Sequence, residues 1–377
     1  MVIKKDVILL RHKLHQNPEV SNNEYKTSEN ISCFMKTLKP DEIITLSKTG
    51  KAFVFCSKKT GETLMFRAEL DALPIIETSD LPYSSVNKGI AHSCGHDGHM
   101  AIICGLAQKI AENRPKKGKV VLLFQPAEEI EQGAKDIVES SAFKNIKTDY
   151  IFALHNIPGI EKHKIILKKG SFAAASKGMT IELQGKTSHA AEPENGINPA
   201  IAISSIISKL NNLLIDKKQF KDLSLLSFIY VRMGEISFGT SAGRAEMGIT
   251  LRAFENKDME LLTQKSELII KNICKKEKLD YNIRYNEIFP ATVNNDKCIS
   301  LIEQVSKKNN YKIEYLKKPF KWSEDFGYYS EKYKTGFFGL GSGVNQPALH
   351  NPEFDFPDDI IETGINMFYD IYAKLNL

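Results

Sequence analysis

The chain has little of what marks membrane, disulfide-rich or nucleic-acid-binding proteins. It has no long apolar run and no apolar segment of signal-peptide type near its start, so we expect a cytoplasmic protein without a membrane partner. Its six cysteines are dispersed and form no C-x-x-C pair, which excludes a compact disulfide framework. The net charge of +5 comes from scattered lysines without a basic, aromatic-rich face, so nucleic acid is not an expected partner.

The length and composition favour a globular protein of two domains. A hydrophobic content of 42% and a charged content of 26% are typical of globular chains. At 377 residues the chain is too long for one ordinary hydrophobic core. We also find no internal repeat and no low-complexity tract, which excludes solenoid and linker-rich architectures.

Short apolar runs alternate with helical patterns along the first part of the chain. Residues 1–38 are expected to be helical, and the runs at 120–124 and 150–154 are typical of buried strands. Apolar residues recur at helical spacing over 97–111, with Asp97 as the expected N-cap. This alternation predicts an α/β domain with a mostly parallel sheet, whose ligands bind beyond the carboxyl ends of the strands.

A second pattern begins near Ser176. It predicts strands over 178–184, 225–231, 247–253 and 281–287 and helices over 199–214 and 256–278. The resulting order, β-α-β-β-α-β, is the ferredoxin-like arrangement. We therefore expect a catalytic domain made of 1–175 and 289–377, interrupted by a smaller α+β insert over 176–288.

Metal-ligand residue types are concentrated in the stretch His92-Ser-Cys94-Gly-His96-Asp97-Gly-His99. Thiolate, imidazole and carboxylate groups are the side chains that hold zinc, and the glycines allow ligands two residues apart to converge. Glu128-Glu129, His155 and His350 follow, each after or near an apolar run that predicts a strand. Together these residues indicate a metal-dependent hydrolase.

Six ordered motifs resemble those of one family of metal-dependent amidohydrolases. This family includes hippurate hydrolase, N-acetyl-diaminopimelate deacetylase and plant auxin-conjugate hydrolases, which are aminoacylase-like dinuclear metallopeptidases. The motifs are Arg67-Ala-Glu-Leu-Asp71-Ala-Leu-Pro74, the stretch 92–99, Phe124-Gln-Pro-Ala-Glu-Glu129, Leu154-His-Asn156, Gly185-Lys-Thr-Ser-His189-Ala-Ala and Leu349-His-Asn-Pro352. The resemblance covers nearly the whole chain and implies a zinc-peptidase-like catalytic domain.

The resemblance implies two divalent metal ions per subunit, which could be zinc, manganese, cobalt or nickel. The implied ligands are Cys94, His96, Glu129, His155 and His350. A thiolate shared between two cations would offset their mutual repulsion, while neutral imidazoles complete each shell and leave room for water.

The resemblance also implies roles beside the metals. Glu128 resembles the general base, which takes a proton from metal-activated water and passes it to the leaving amine. Asp71 is expected to orient a ligand histidine through its ring N–H. His189, in the insert, is expected to help stabilise the oxyanion and the substrate.

Three neighbouring residues receive structural interpretations instead. We expect Asp97 and His99 to cap and pack the start of their helix rather than bind metal. Glu131 matches no motif position, so we expect it in a solvated turn or at a helix N-terminus.

The chain departs from the family pattern at two places. Glu69 stands where relatives usually carry Asp. The segment Gly239-Thr-Ser-Ala-Gly243-Arg244-Ala-Glu246 replaces an Asn-Val-Ile-Pro stretch whose asparagine helps hold the substrate in relatives. Arg244 or Arg252 could bind a substrate carboxylate instead, because a guanidinium forks onto two oxygens. The alternative is an arginine paired with Glu246 at the surface.

These observations predict an enzyme that hydrolyses the amide bond of N-acyl amino acids by metal-activated water. The alternatives are a dipeptidase or aminopeptidase of similar metal chemistry, or a catalytically silent relative that binds a metal or ligand. The free edge of a ferredoxin-like sheet predicts a homodimer through the insert. The resemblance implies that His189 can then serve the partner's site. Alternatively, the insert closes over its own metal site by a hinge near Ser176 and Phe289.

Overall fold

The computed structural model of the chain describes residues 5–215 and 217–377, so residues 1–4 of the first predicted helical stretch lie outside it. The chain divides into two compact units. The larger contains the chain up to Phe172 together with Thr292–Lys318 and Asp325–Leu377. The smaller contains Ala173–Ala291 and the short stretch Pro319–Glu324.

The elements follow one another along the chain in three stretches. The first contains α1 (Lys5–Gln16), α2 (Tyr25–Thr37), β1 (Glu42–Thr45), β2 (Lys51–Cys56), β3 (Thr63–Glu69), α3 (His96–Glu112), β4 (Lys119–Gln125), α4 (Gly133–Glu139), α5 (Ser141–Ile146), β5 (Tyr150–Pro158), β6 (Ile165–Leu167) and β7 (Gly170–Ala173). The second contains β8 (Ala175–Gln184), β9 (Ser188–His189), α6 (Ala200–Leu213), β10 (Ser224–Met233), β11 (Thr240–Ser241), β12 (Arg244–Ala253), α7 (Asn256–Lys276) and β13 (Asp280–Phe289). The third contains β14 (Thr292–Asn294), α8 (Asp296–Lys308), β15 (Ile313–Tyr315), α9 (Gly327–Ser330), β16 (Lys334–Gly343) and α10 (Ile361–Asn376).

The larger unit is built on an eight-stranded sheet in the order β1-β2-β4-β3-β5-β16-β6-β15. Its four central strands, β4, β3, β5 and β16, all run parallel, while β2 and β6 join them antiparallel. The predicted mostly parallel sheet is therefore confirmed. Every residue of β3 is buried, as expected of a strand covered on both faces.

Helix α3 lies in the core of the larger unit and places the metal-ligand motif. Of its 17 residues, 14 are buried, including Met100, Ile103 and Ala107 on the predicted apolar face. Its side chains pack in one cluster with residues of α1, α10 and the central strands. Because the helix is held by this core, the residues at its first turn have fixed positions relative to the strand ends.

The smaller unit has a four-stranded antiparallel sheet in the order β10-β12-β8-β13. With α6 and α7, its elements follow the order β-α-β-β-α-β, which is the ferredoxin-like order. Alternate residues of β8, namely Met179, Ile181 and Leu183, are buried, as the period of a half-covered sheet requires. The stretch Pro319–Glu324 joins this unit, where the Phe320 carbonyl accepts a hydrogen bond of 3.1 Å from Ala174 N.

Within the described part of the chain, no helix combines the length and apolar character needed to cross a bilayer.

Candidate metal centre

The predicted metal ligands of the larger unit converge at the carboxyl ends of its central strands. Asp71 follows β3, Glu128-Glu129 follow β4, His155 lies in the second half of β5, and His350 follows β16. Parallel neighbouring strands end at the same edge of a sheet, which brings these residues together. Cys94, just before the N-cap of α3, and His96, the first residue of the helix, lie at the same place.

The five predicted ligands form two groups that share one atom, the thiol of Cys94. In each group the potential ligand atoms all lie within 4.8 Å of one another. The first group is Cys94, His96 and His155, and the second is Cys94, Glu129 and His350. A shared anionic ligand such as a thiolate offsets the repulsion between two adjacent cations.

The distances within the groups fit metal coordination. Cys94 Sγ lies 3.4 Å from His155 Nε2, and Glu129 Oε2 lies 3.7 Å from His350 Nε2. Metal–ligand bonds of about 2.0–2.3 Å in a tetrahedral shell separate the ligand atoms by roughly 3.3–3.8 Å. These side chains therefore already stand at the separation that a bound cation would impose.

The hydrogen bonds of the two buried histidines direct their other ring nitrogens into the site. His96 Nδ1 lies 2.9 Å from the Asp71 carbonyl, and His155 Nδ1 lies 2.9 Å from the Asn156 carbonyl. A carbonyl only accepts, so Nδ1 is the nitrogen that keeps its proton when either ring is neutral, and Nε2 then presents a lone pair. The Nε2 atom of His96 is buried without a hydrogen-bond partner among the described residues. This donor set fits a divalent ion, and second-sphere bonds to Nδ1 are typical of metal-binding histidines.

The electrostatics of the site also favour a positive charge beside His96. Burial by itself lowers the pKa of this ring, but the Asp71 hydrogen bond and the Glu129 charge outweigh it and raise the pKa to about 9. The same negative surroundings would stabilise a cation at this position.

Asp71 supports the site in two ways, one of which the sequence did not predict. Its carboxylate accepts hydrogen bonds from Ser21 Oγ at 2.7 Å and from the Glu129 backbone N–H at 3.0 Å. The carboxylate oxygen nearest His96 Nδ1 is 3.7 Å away, whereas the Asp71 carbonyl is at 2.9 Å. Asp71 thus orients the histidine chiefly through its backbone carbonyl, and its carboxylate fixes the loop that bears Glu129.

Glu128 lies beside the ligand groups in a turn of unusual backbone conformation. Its carboxylate oxygen is 3.8 Å from His96 Nε2. The turn is flanked by Ala127 and Glu131, which have φ angles of 53° and 66°, and such strain is common at functional sites. The buried carboxylate of Glu24 holds it by accepting a hydrogen bond of 2.9 Å from Ala127 N. The expectation of a solvated turn at Glu131 is wrong, because this side chain is only 8% exposed.

The predicted N-cap at Asp97 is also wrong. The helix is capped at Gly95, whose φ of 93° is left-handed, and Asp97 lies within the first turn of α3. The Asp97 carboxylate is fully buried and bonded to His15 Nδ1 at 2.9 Å and to Arg11 Nη1 at 3.3 Å. It therefore pairs with side chains of α1 instead of capping its own helix.

His99 packs under the site, as expected. Its Nδ1 lies 2.8 Å from the Glu69 carboxylate and its Nε2 lies 2.7 Å from Asn156 Oδ1. Both ring nitrogens are therefore occupied by protein partners. Glu69, one of the two departures from the family pattern, is the buried anchor of this chain of hydrogen bonds.

His15 and Arg11 belong to a buried charged network that motif spacing did not predict. Burial lowers the pKa of His15, but the charge and hydrogen bond of Asp97 outweigh it and raise the pKa to about 9. Arg11 is fully buried and also contacts Asp355 at 2.7 Å. The stretch Arg11-His-Lys-Leu-His15-Gln-Asn-Pro-Glu19 also resembles the family pattern, but this resemblance gives no partner for either side chain.

His350 differs from the other ligands in being partly open to solvent. Its side chain is 52% exposed, and its backbone N–H donates to the Ser93 carbonyl at 2.8 Å. Burial, followed by the charge of His96, lowers the pKa of its ring and keeps a lone pair available for a metal.

The remaining predicted residues lie in the smaller unit. His189 is exposed, and its Nδ1 accepts a hydrogen bond of 3.1 Å from Ala191 N, which leaves Nε2 as the donor of the neutral ring. Arg244 is exposed and lies 3.8 Å from Glu182, while the arginine next to Glu246 is Arg284, also at 3.8 Å. Arg252 is half-buried and donates to the Lys321 carbonyl at 2.9 Å and to Ser323 Oγ at 3.0 Å.

Comparisons with known proteins identify the family of the chain. The chain is 30% identical over 370 residues to a hippurate hydrolase of Campylobacter jejuni, covering 98% of this chain and 95% of that protein. It is 31% identical over 364 residues to an N-acetyldiaminopimelate deacetylase of Lacticaseibacillus casei, covering 94% and 93%. The crystal structure of the Bacillus subtilis YXEP protein, described as a dinuclear metal binding peptidase of the M20 family, superimposes with a TM-score of 0.84 at 26% identity, covering 98% and 97%. Residues 65–374 match the family model itself, and the chain therefore belongs to peptidase family M20/M25/M40.

Proposed function

We propose that this amide-bond hydrolase acts on N-acyl amino acids with the help of two divalent metal ions. The observation that carries the proposal is the pair of ligand groups sharing Cys94, with the Glu128 carboxylate beside them. Relatives named hippurate hydrolase and N-acetyldiaminopimelate deacetylase, which match nearly the full length of the chain, support the substrate class.

In the proposed reaction, bound divalent ions would polarise the amide carbonyl and lower the pKa of water. Glu128 accepts the proton of the attacking water and delivers it to the leaving amine. Asp71 holds His96 and the Glu129 loop in place through the hydrogen bonds described above. His189 donates Nε2–H to the acyl carbonyl oxygen as negative charge develops there.

The proposed substrate carboxylate partner is Arg244 rather than Arg252. Arg244 is exposed and lines a cavity of about 790 Å³ in the smaller unit, where Arg232 and Asn198 are further donors. Arg252 donates hydrogen bonds to the stretch Pro319–Glu324, which favours a structural role for it. The proposed metals are zinc, manganese, cobalt or nickel, and the proposed location is the cytoplasm.

We further propose a homodimer through the edge strand β10. The apolar side chains of Ile229, Val231 and Met233 are exposed along it. An exposed apolar edge strand invites pairing with a second copy. The opposite edge, β13, carries Arg284, which pairs with Glu182 at 2.9 Å.

A metal titration tests the ligand assignment. We expect about two divalent ions per chain in the replete protein, and Cys94→Ser should weaken both sites because its thiolate belongs to both ligand groups. His350→Ala belongs to one group only and should retain about one ion. Elemental analysis that finds no divalent ion after repletion, together with hydrolysis that a chelator does not affect, would refute the proposal.

A substrate screen tests the reaction. The protein should be loaded in turn with zinc, manganese, cobalt and nickel and assayed with acetyl-Xaa and Gly-Xaa pairs of the same amino acid. We expect cleavage of the N-acyl compounds. Preference for Gly-Xaa would indicate a dipeptidase or aminopeptidase, and metal binding without turnover of either series would indicate a silent relative.

A further inference from the structure

The two most exposed large apolar side chains in the described chain lie on one hairpin of the smaller unit. Ile236 and Phe238, between β10 and β11, are each 100% exposed. Leaving an aromatic ring in water forgoes the favourable free energy of burying it. Two such side chains at one loop tip therefore indicate a surface that meets an apolar group.

The hairpin is a defined turn with its own hydrogen bonds. Gly234 begins it with a φ of 60°, and a Cβ there would lie 2.8 Å from the Cβ of Ala242. Ser237 N donates to the Glu235 carbonyl at 2.8 Å, and Thr240 N donates to the Ser237 carbonyl at 3.2 Å. The tip side chains are consequently presented at fixed positions on a short, hydrogen-bonded loop.

The same hairpin is bonded directly to the segment that carries His189. Thr240 of β11 lies opposite His189 of β9, and Ala190 N donates to the Gly239 carbonyl at 2.9 Å. Phe238 directly precedes Gly239 in the sequence. Phe238 therefore lies next along the chain to the backbone hydrogen bond that joins this hairpin to the His189 segment.

We propose that Phe238, assisted by Ile236, contacts the acyl group of the substrate and selects apolar acyl chains longer than acetyl. This inference rests on the proposed function, in which His189 Nε2 donates to the acyl carbonyl oxygen. The acyl chain is bonded to that carbonyl carbon, and Phe238 and Ile236 lie on the loop that leads directly into the strand paired with His189. The hairpin also leads into the segment that replaces the family's Asn-Val-Ile-Pro stretch, where a change of substrate preference is expected.

A series of N-acyl glycines isolates this contact, because glycine adds no apolar side chain. We would measure kcat and KM for N-acetyl-, N-butanoyl- and N-hexanoylglycine with the metal-loaded enzyme, its Phe238→Ala and Phe238→Leu variants, and Leu268→Ala as an exposed apolar control on α7. Phe238→Ala should lower kcat/KM for N-hexanoylglycine about tenfold, mainly through KM, and change N-acetylglycine less than about threefold. Phe238→Leu should restore most of the preference, and Leu268→Ala should change nothing.

Other results would overturn the inference in distinguishable ways. An equal loss of kcat/KM for all three N-acyl glycines would show that the tip of the hairpin has a structural role. If sedimentation also showed dissociation, the tip would be a contact between subunits. N-acetylleucine, compared with N-acetylglycine, is a further substrate for this test. If Phe238→Ala lowered kcat/KM only for N-acetylleucine, Phe238 would contact the amino-acid side chain and not the acyl chain. His189→Ala should lower kcat for every acyl group, and an unchanged kcat would refute the proposed role of His189 independently of any effect at Phe238.

Discussion

Glu128 is the residue whose replacement separates chemistry from metal binding. Glu128→Gln keeps the shape of the side chain but cannot accept a proton, so we expect turnover to fall by about 10²–10⁴ while two metal ions remain bound. Steady-state kinetics on an N-acyl amino acid, with elemental analysis of the same sample, measures both quantities.

The matched control is Glu131→Gln, because this buried glutamate lies in the same turn three residues from Glu128. It should retain most of the wild-type turnover. If instead Glu128→Gln were nearly as active as wild type, the base would have to be reassigned, with Glu131 or Asp97 as the next candidates.

His15 gives the molecule a pH dependence that is separate from catalysis. Its pKa of about 9 in the folded protein lies above the ordinary value of 6.5, so the folded state binds the proton more tightly than the unfolded state does. The stabilisation is complete below pH 6.5 and is lost as the pH rises through about 9. By linkage it amounts to on the order of 3 kcal/mol.

Denaturant unfolding of wild type and His15→Gln at pH 6 and pH 9.5 measures this contribution. The difference in the free energy of unfolding between the two proteins should be largest at pH 6 and should shrink at pH 9.5. A difference that stayed constant or grew with pH would mean that folding does not raise the pKa of His15.

At the scale of elements, the start of α3 depends on the glycine that caps it. Gly95 has a φ of 93°, and a Cβ there would lie 2.5 Å from Asn156 Oδ1, next to the proposed ligand His155. Gly95→Ala should cost about 2 kcal/mol or more, from left-handed strain and from the displaced asparagine, and should weaken metal binding.

Gly89→Ala is the matched control for that prediction. Gly89 also has a left-handed φ, of 83°, but a Cβ there would contact nothing within 4 Å. It should show the backbone strain alone in thermal unfolding and keep both metal ions in a titration. Equal metal loss in the two variants would show that strain, rather than the clash with Asn156, disturbs the site.

The sequence was sufficient to predict those elements in which the order of apolar and polar residues reflects which side chains are buried. The apolar run 120–124 lies within β4, and the residues with helical spacing over 97–111 lie within α3. Both could be predicted because buried strands and buried helix faces have characteristic apolar patterns. The cap of α3 was predicted wrongly, since Asp97 looks like an ordinary N-cap until the side chains of α1 are placed beside it.

The site shows the same division. The sequence predicts five metal ligands because the motifs are ordered and chemically specific. Their division into two groups around Cys94 could not, because it depends on how loops from different strands approach one another. Glu24 was missed for a related reason: an acidic residue before a helix looks like a cap, and only the fold shows it holding the Ala127 turn.

At the scale of the whole molecule, the proposed metal ligands and catalytic residues are divided between the two units. The metal ligands and Glu128 belong to the larger unit, and His189 belongs to the smaller one. The free β10 edge of the smaller unit lets a second copy pair with it, so one active site could be completed by residues of two chains.

A mixing experiment decides between action within one chain and action across a dimer. Glu128→Gln and His189→Ala chains should each be inactive alone, the first lacking the base and the second the oxyanion donor. If His189 serves the partner's site, exchanging the subunits creates mixed dimers in which one of the two sites is wild type at both positions. Random exchange of equal amounts makes half of the dimers mixed, so recovered activity should approach about a quarter of the wild-type value.

If His189 serves its own chain, every site in the mixture lacks one of the two groups, and the activity stays at the level of the separate variants. Sedimentation at the assay concentration provides the second measurement, since a monomer there would refute the trans scheme whatever the kinetics.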